Sequence, residues 1–265
     1  MALAQTEPKK IYIWSSEVKK VYLWTTQVRP AWWGWWQPWA NTLLYLPLES
    51  DVVDNSWKTW RTFTTSWISY TTVGLVSSIH VDWTGWVALS TPRSLSDEAS
   101  DRNKITFSCY FYVTTAQSSS RRVLIEFAIK SKEYFSVVLK ENTTNIQYSD
   151  SSSRYGSWTT IVANKWNNVV VVKDTSLSSD NTKIYINWNL SWQWNSWTTG
   201  WAWWNWAQSY DNKQGILTSR NEAGSGYEWM YALNGNAREF IIEDKARTSQ
   251  EVADYYDQTK ANYGL

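Results

Sequence analysis

Side chains that carry hard oxygen ligands are concentrated in the stretch ESDVVDN. The candidate ligands are Glu49, Asp51, Asp54 and Asn55. Carboxylate and amide oxygens are the ligands that Ca²⁺ prefers in proteins, so a calcium site is one interpretation of this stretch. A solvated turn, in which the Asp and Asn side chains bond to nearby backbone groups, is the alternative.

The other reactive side chains give little basis for catalysis. His80, in SSIHVD, is the single histidine, so sites built from several histidines are excluded and only one candidate base remains. A histidine at the surface or near a turn is the alternative. Gly224-Ser225-Gly226 lacks the spacing of a nucleophile elbow. Cys109, the only cysteine, lies in the alternating stretch ITFSCYFYV and is expected to be a small buried hydrophobe. We therefore do not expect the protein to be an enzyme.

Charge and hydropathy exclude two classes of partner. The chain has 25 basic and 24 acidic residues, a net charge of +1, and no basic patch, so nucleic acid is not expected. The apolar runs are too short to span a bilayer, and the start MALAQTEPKK lacks the apolar core of a signal peptide.

Tryptophan and glycine occur in abnormal proportions, with 23 Trp and only 10 Gly among 265 residues. Glycine averages about 7% of residues. Trp188 in INWNLS takes the place that Gly235 takes in LNGNAR, and an Asn-Gly pair between apolar runs is a strong hairpin signal. DWTGW, at Asp82–Trp86, would likewise be an ordinary turn if glycine replaced its tryptophans.

We therefore predict that most of these tryptophans are glycines in the living organism, which reads UGA codons as glycine. The positions chosen to test this prediction are Trp14, Trp24, Trp83, Trp188 and Trp203. The alternative is a genuine aromatic ligand surface. Trp166, at the entry to the buried strand of NKWNNVVVVKD, has the character of an authentic tryptophan.

The sequence divides into three parts. Residues 1–30 contain a leader and two ten-residue repeats, KKIYIWSSEV and KKVYLWTTQV, each predicting a short hairpin of an attachment ribbon. A flexible N-terminal extension is the alternative interpretation of these repeats. Residues 31–41, AWWGWWQPWAN, are expected to be a linker that is glycine-rich in the native code. Residues 42–265 form the main domain.

Short strands alternate with polar turns through most of the main domain, which favours an all-β sandwich. Val169–Val172 are apolar throughout, as expected for a strand covered on both sides. The chain ends differently. Thr248 and Glu251 fit a capping box before one short helix that ends near Gly264.

Four segments, in this order, resemble the laminin-G-like, concanavalin A-like lectin/glucanase family across about residues 42–263. They are NTLLYLPLESDVVDNSW, KWNNVVVVKD, KIYINWN and LNGNAREFIIEDKARTSQEVADYY. The resemblance implies a jelly-roll sandwich of two antiparallel sheets, here with an N-terminal hairpin repeat and a C-terminal helix. The N-terminal repeat and the NYGL ending are also similar to tail or structural proteins of phages that carry this domain.

The resemblance further implies carbohydrate binding, in which aromatic faces stack on sugar rings while polar groups bind hydroxyls. The candidates are Tyr148, Arg154 and Tyr155 in the predicted loop QYSDSSSRYGS, and Tyr210, Asp211 and Asn212 in QSYDNKQ. Ordinary surface tyrosines are the alternative. Some relatives of this fold also bind Ca²⁺ at a turn such as the one at residues 49–55.

Glucanases of this fold carry a Glu-x-Asp-x-x-Glu strand, which this chain lacks. Glu126 stands alone, and the adjacent Glu243 and Asp244 would point to opposite faces of a strand. We therefore expect a non-catalytic adhesion module of a phage tail or virion that binds host-surface glycans. It would contact other virion subunits through its repeats, with a homo-oligomer also possible. A bacterial cell-surface adhesion protein is the alternative, and a glycoside hydrolase is less favoured.

Overall fold

A computed structural model divides the chain into two units, Met1–Gln37 and Pro38–Leu265. In several strands only the backbone is described. The structure describes residues 12–13, 16–17, 21–23, 26–28, 41–56, 63–89, 100, 103–113, 122–130, 133–139, 145–149, 154–194, 214–216, 219–220, 227–228 and 233–265.

Each N-terminal repeat forms an antiparallel hairpin, as the repeat pattern predicts. β1 (Tyr12–Ile13) pairs with β2 (Ser16–Glu17), and β3 (Val21–Leu23) pairs with β4 (Thr26–Val28). Ile13 lies opposite Ser16 and Leu23 lies opposite Thr26. Only two residues therefore join the strands of each hairpin, a loop length at which glycine is generally favoured.

The second unit is built from antiparallel strands. They are β5 (Thr42–Leu46), β6 (Phe63–Val73), β7 (Val76–Leu89), β8 (Lys104–Tyr112), β9 (Arg122–Lys130), β10 (Glu133–Leu139), β11 (Asn145–Ser149), β12 (Arg154–Thr160), β13 (Trp166–Asp174), β14 (Thr182–Ile186), β15 (Asn189–Trp194), β16 (Gln214–Ile216), β17 (Ser219–Arg220), β18 (Tyr227–Glu228) and β19 (Gly235–Glu243). Strands β17 and β18 pair only with each other among the described strands. The main hydrogen-bonded order is β12-β11-β10-β9-β16-β7-β19-β8-β13-β14-β15, with β5 on β19 and β6 on β7.

Strand β7 connects two layers of a jelly-roll β-sandwich, the predicted fold class. Its first half pairs with β19 and its last residues pair with β16. Between these halves the register with β6 jumps at Trp67. The predicted turn at Asp82–Trp86 is therefore wrong, because these residues lie within β7 at this bulge. The core joins Phe107 and Phe240 of one layer to side chains such as Leu124 of the other.

Strand β13 is covered on both faces, which confirms the prediction from its apolar run. Val169 and Val171 belong to the core between the layers. Val170 and Val172 instead pack with Tyr185 and with Val252 of the C-terminal helix. That helix therefore covers the outer face of the layer that contains β13.

The C-terminal helix, α1 (Ser249–Thr259), has the predicted ends. Thr248 and Glu251 form a reciprocal capping box, and a 3-10 turn (Lys260–Tyr263) continues the helix to Gly264, at φ 69°. The ring of Tyr263 stacks on that of Tyr110, with centroids 3.7 Å apart. Within the described residues, no helix is long and apolar enough to cross a membrane.

Gly235 differs from its predicted role as the second residue of an Asn-Gly hairpin. Asn234 has a positive φ of 47°, but Gly235 already begins β19. A Cβ on Gly235 would lie 2.6 Å from the backbone oxygen of Tyr112. Close approach between strands, rather than turn conformation, therefore requires glycine here.

Candidate functional site

The structure places three of the predicted sugar-binding residues in an edge hairpin. Tyr148 lies in β11 directly opposite Tyr155 of β12, and Ser149 lies opposite Arg154. Opposed positions of an antiparallel pair are on the same face of a sheet, and β12 ends the main strand order. The loop predicted around Arg154 and Tyr155 is instead a strand. Tyr210, Asp211 and Asn212 lie outside the described residues.

Backbone N–H groups donate hydrogen bonds to Asp54, one of the predicted calcium ligands. Asp54 Oδ1 accepts hydrogen bonds from the backbone N–H groups of Tyr45, at 3.2 Å, and Ser56, at 2.9 Å. The N–H of Asn55 donates to the carbonyl oxygen of Tyr45 at 2.8 Å. The bond from Ser56 back to Asp54 is the Asx geometry that the alternative interpretation of this segment expects.

The remaining acidic side chains of this segment have other neighbours. Glu49 forms an ion pair with Arg238. Burial, followed by the negative charge of Asp51, raises the pKa of Tyr70. Among the residues that the structure describes, no group of three or more His, Cys, Asp or Glu side chains is placed to hold a metal ion.

Calcium binding at residues 49–55 stays a prediction, which a melting experiment tests. Since a ligand that binds only the folded state stabilises it, bound Ca²⁺ would raise the melting temperature and EDTA would reverse the rise. Calorimetry with Ca²⁺ and with EDTA measures this shift. Identical melting temperatures in the two conditions would contradict the site.

Cys109 and His80 have different surroundings. Cys109 is fully buried, as predicted, and its Sγ lies 3.6 Å from the carbonyl oxygen of Arg238. Burial raises the pKa of this thiol, so it is a poor nucleophile. His80 is half-buried on β7, with Nδ1 3.2 Å from Oδ1 of Asn236. An amide oxygen only accepts hydrogen bonds, so His80 Nδ1 carries the proton.

A polar cluster beneath α1 was not predicted from the sequence. Glu239 is buried at a bulge of β19, has a φ of 51°, and accepts a 3.0 Å hydrogen bond from the Tyr255 hydroxyl. Close by in sequence, Glu243 and Arg247 form a buried ion pair at 2.6 Å. The adjacent polar residues Arg238 and Glu239, which separate the core residues Ala237 and Phe240, break the alternation of AREFIIED and are the sequence signal of the bulge.

Glu239→Gln is expected to flatten the dependence of stability on pH. Burial raises the pKa of Glu239, against the opposing charge of Arg238 and the hydrogen bond from Tyr255. The folded state therefore binds this proton more tightly than the unfolded state. The free energy of unfolding should decrease as pH rises from the usual range of a glutamate through the raised pKa. The glutamine variant lacks this decrease.

Urea unfolding of both proteins between about pH 4 and pH 8 measures the difference. Glu251→Gln is a matched control, because the contribution of Glu251 to stability depends on pH in the opposite direction. Partial burial raises the pKa of Glu251, but hydrogen bonds from Lys245 and Thr248 outweigh it and lower the pKa overall. The contribution of Glu251 should be present at higher pH and be lost as pH falls through its lowered pKa. The same pH slope in the wild type and the Glu239 variant would contradict the assignment.

Comparison with solved structures gives the same fold. The chain superposes on domain 4 of AbnA, a GH43 extracellular arabinanase from Geobacillus stearothermophilus solved in complex with arabinotriose. The TM-score is 0.60 at 13% identity, over 82% of this chain and 98% of that one. No protein-family model matches the sequence, and no curated protein matches it.

Receptor-binding domains of botulinum neurotoxins are also similar. The C/D mosaic domain matches with a TM-score of 0.59 at 13% identity, over 82% of this chain and 51% of that one. The structure of botulinum neurotoxin type C, whose cell entry depends on interaction with two ganglioside molecules, gives a TM-score of 0.56 at 12% identity, over 82% of this chain and 51% of that one. This chain therefore spans about half of these toxin domains. At these identities the likeness defines a jelly-roll β-sandwich.

Proposed function

We propose that the protein is a non-catalytic carbohydrate-binding module that recognises a surface glycan. The observation that carries this proposal is the register of the edge hairpin, which sets Tyr148 opposite Tyr155 beside Arg154. The arabinotriose complex of the arabinanase domain and the ganglioside interaction of the type C toxin support it by fold. The missing Glu-x-Asp-x-x-Glu motif supports a role without catalysis.

Replacing both Tyr148 and Tyr155 with alanine is expected to weaken glycan binding about tenfold or more, because each ring contributes about 1 kcal/mol of contact. A glycan array that includes arabinotriose and ganglioside oligosaccharides identifies the ligand, and calorimetry measures affinity. Tyr70→Ala, on an exposed tyrosine of β6, is the control. Unchanged affinity in the double variant would contradict this site, and release of reducing sugars would contradict the non-catalytic assignment.

We further propose that the module belongs to a phage tail or virion and that the N-terminal hairpins attach it to other subunits. Two-stranded hairpins this short are marginal alone, and two of them occur in tandem. A bacterial cell-surface adhesion protein is the second candidate. Capsid and tail genes beside this gene would support the virion, and secretion or surface-anchoring genes there would contradict it.

The same proposal includes the prediction that most of the tryptophans are glycines in the living organism, which reads UGA codons as glycine. Trp188 and Trp67 have φ values of 65° and 50°, in the left-handed region that favours glycine. Asn187 and Trp188 join β14 to β15 with Ile186 opposite Asn189, so both loop residues have the positive φ of a type I′ turn. UGG codons at these positions, or tryptophan detected by mass spectrometry of the native protein, would contradict recoding.

A further inference from the structure

One transverse row of residues crosses five strands of the layer that carries α1. Ser69 of β6 lies opposite His80 of β7, which lies opposite Asn236 of β19. Asn236 lies in turn opposite Tyr112 of β8, and Tyr112 lies opposite Trp166 of β13. We call these five residues the transverse row. At about 4.8 Å between strands, Ser69 and Tyr112 are about 14 Å apart, a distance that suits a short oligosaccharide.

The transverse row lies on the outer face of the sandwich. Directly opposed residues share a face, and successive residues of a strand alternate between faces. The sequence neighbours Ile79, Val81, Ala237 and Phe111 belong to the core between the layers. The row is therefore directed away from that core. Ser69 is exposed, while His80 and Tyr112 are half-buried and so reach solvent.

Asn236 fixes the polar half of the transverse row. Its Oδ1 accepts from His80 Nδ1 at 3.2 Å, and its Nδ2 donates to Thr71 Oγ1 at 2.6 Å and to Ser78 Oγ at 3.0 Å. Asn236 is 4% exposed, so this side chain serves as an internal support. With Nδ1 protonated, Nε2 of the neutral His80 ring is a hydrogen-bond acceptor.

Packing fixes the aromatic half. The ring of Tyr112 lies against Trp166 at 5.8 Å between centroids, with 56° between the ring planes. Trp166 is 4% exposed and contacts Tyr263 edge-on at 5.3 Å. The Tyr112 ring is therefore held by a buried partner, which reduces the entropy that a ligand must remove on binding.

We propose that the transverse row is a second glycan-binding site, separate from the edge hairpin, for a neutral oligosaccharide. Tyr112 supplies a ring face for a sugar, His80 Nε2 accepts a hydrogen bond from a sugar hydroxyl, and the Ser69 hydroxyl completes the polar end. None of the five residues carries a carboxylate, ammonium or guanidinium group, which favours an uncharged ligand. This inference rests on the proposed function and assigns that function to a further surface.

The single histidine makes the test direct, because a protein with isotope-labelled histidine gives one imidazole signal. We expect titration with arabinotriose, and with a panel of neutral oligosaccharides, to shift the His80 signal. The shift should persist in the Tyr148→Ala/Tyr155→Ala protein. Before ligand is added, the nitrogen spectrum of the neutral ring should show Nδ1 protonated and Nε2 unprotonated.

Variants separate binding from folding. His80→Ala and Tyr112→Ala should each weaken binding of the shifting oligosaccharide about tenfold, equivalent to about 1.4 kcal/mol. Tyr112→Phe should retain most of the affinity because its ring is kept. Ser77→Ala, at an exposed residue on the other face of β7, is the matched control. Denaturant midpoints of all variants show whether each is folded.

Each outcome decides between the two sites. Binding that depends on Tyr148 and Tyr155 but leaves the His80 signal in place would overturn this inference and retain the proposed function. A His80 shift that the Tyr148 and Tyr155 variants do not affect would support the transverse row. Failure of every oligosaccharide to bind would overturn both.

Discussion

Replacing Trp188 with glycine should raise the free energy of unfolding by about 1 kcal/mol. A left-handed backbone conformation costs a residue with a Cβ about 1–2 kcal/mol, while glycine gives back part of this gain through its larger conformational entropy when unfolded. Trp188 has φ 65° and is 49% exposed, so removing its ring gives up little burial. Trp67→Gly, at φ 50° and 73% exposed, should behave in the same way.

Replacing Trp166 with glycine is the matched control and should lower the free energy of unfolding instead of raising it. Trp166 is 4% exposed and packs against Tyr112 and Tyr263. Deleting a buried tryptophan costs about 3–5 kcal/mol. Urea unfolding measures all three variants, and each kcal/mol should move the melting temperature by about 2–4 °C. Destabilisation by all three substitutions would contradict the view that Trp67 and Trp188 occupy glycine positions.

Replacing Arg247 with methionine should lower the free energy of unfolding by about 3–5 kcal/mol, because it leaves the carboxylate of Glu243 buried without its counter-charge. Arg247 Nε lies 2.6 Å from Glu243 Oε2, and the two side chains are 1% and 0% exposed. The guanidinium also lies 4.7 Å above the ring of Tyr255 on α1. The change therefore affects both the ion pair and the packing of the helix.

A double variant distinguishes the effect of an unpaired buried charge from the effect of lost packing. Arg247→Met with Glu243→Leu removes both charges and should recover most of the lost stability, since a buried ion pair can often be replaced by apolar side chains. Lys260→Met breaks the exposed pair with Asp257 and should change stability little. A double variant as unstable as the Arg247 single variant would show that packing, not charge, causes the loss.

Some features followed from local patterns. The capping box at Thr248 and Glu251 and the two-sided burial of Val169–Val172 are both present. The pattern at Asn187-Trp188 located a turn with positive φ at both residues. Four of the described strands, β6, β12, β15 and β18, do not follow from local patterns; the first three are rich in Ser, Thr and Trp and lack clear alternation. For β12 the preceding serines indicate a loop rather than a strand.

The sequence by itself determined the all-β class, the N-terminal hairpins, the terminal helix and the turn at Asn187-Trp188. Each of these depends on residues close together in the chain. Only the tertiary structure decided that Tyr148 lies opposite Tyr155 in an edge hairpin, that Glu239 lies buried at a bulge, and that the transverse row crosses five strands. Its members Ser69 and Asn236 come together through strand register. Register depends on the packing of distant strands, which no local pattern contains.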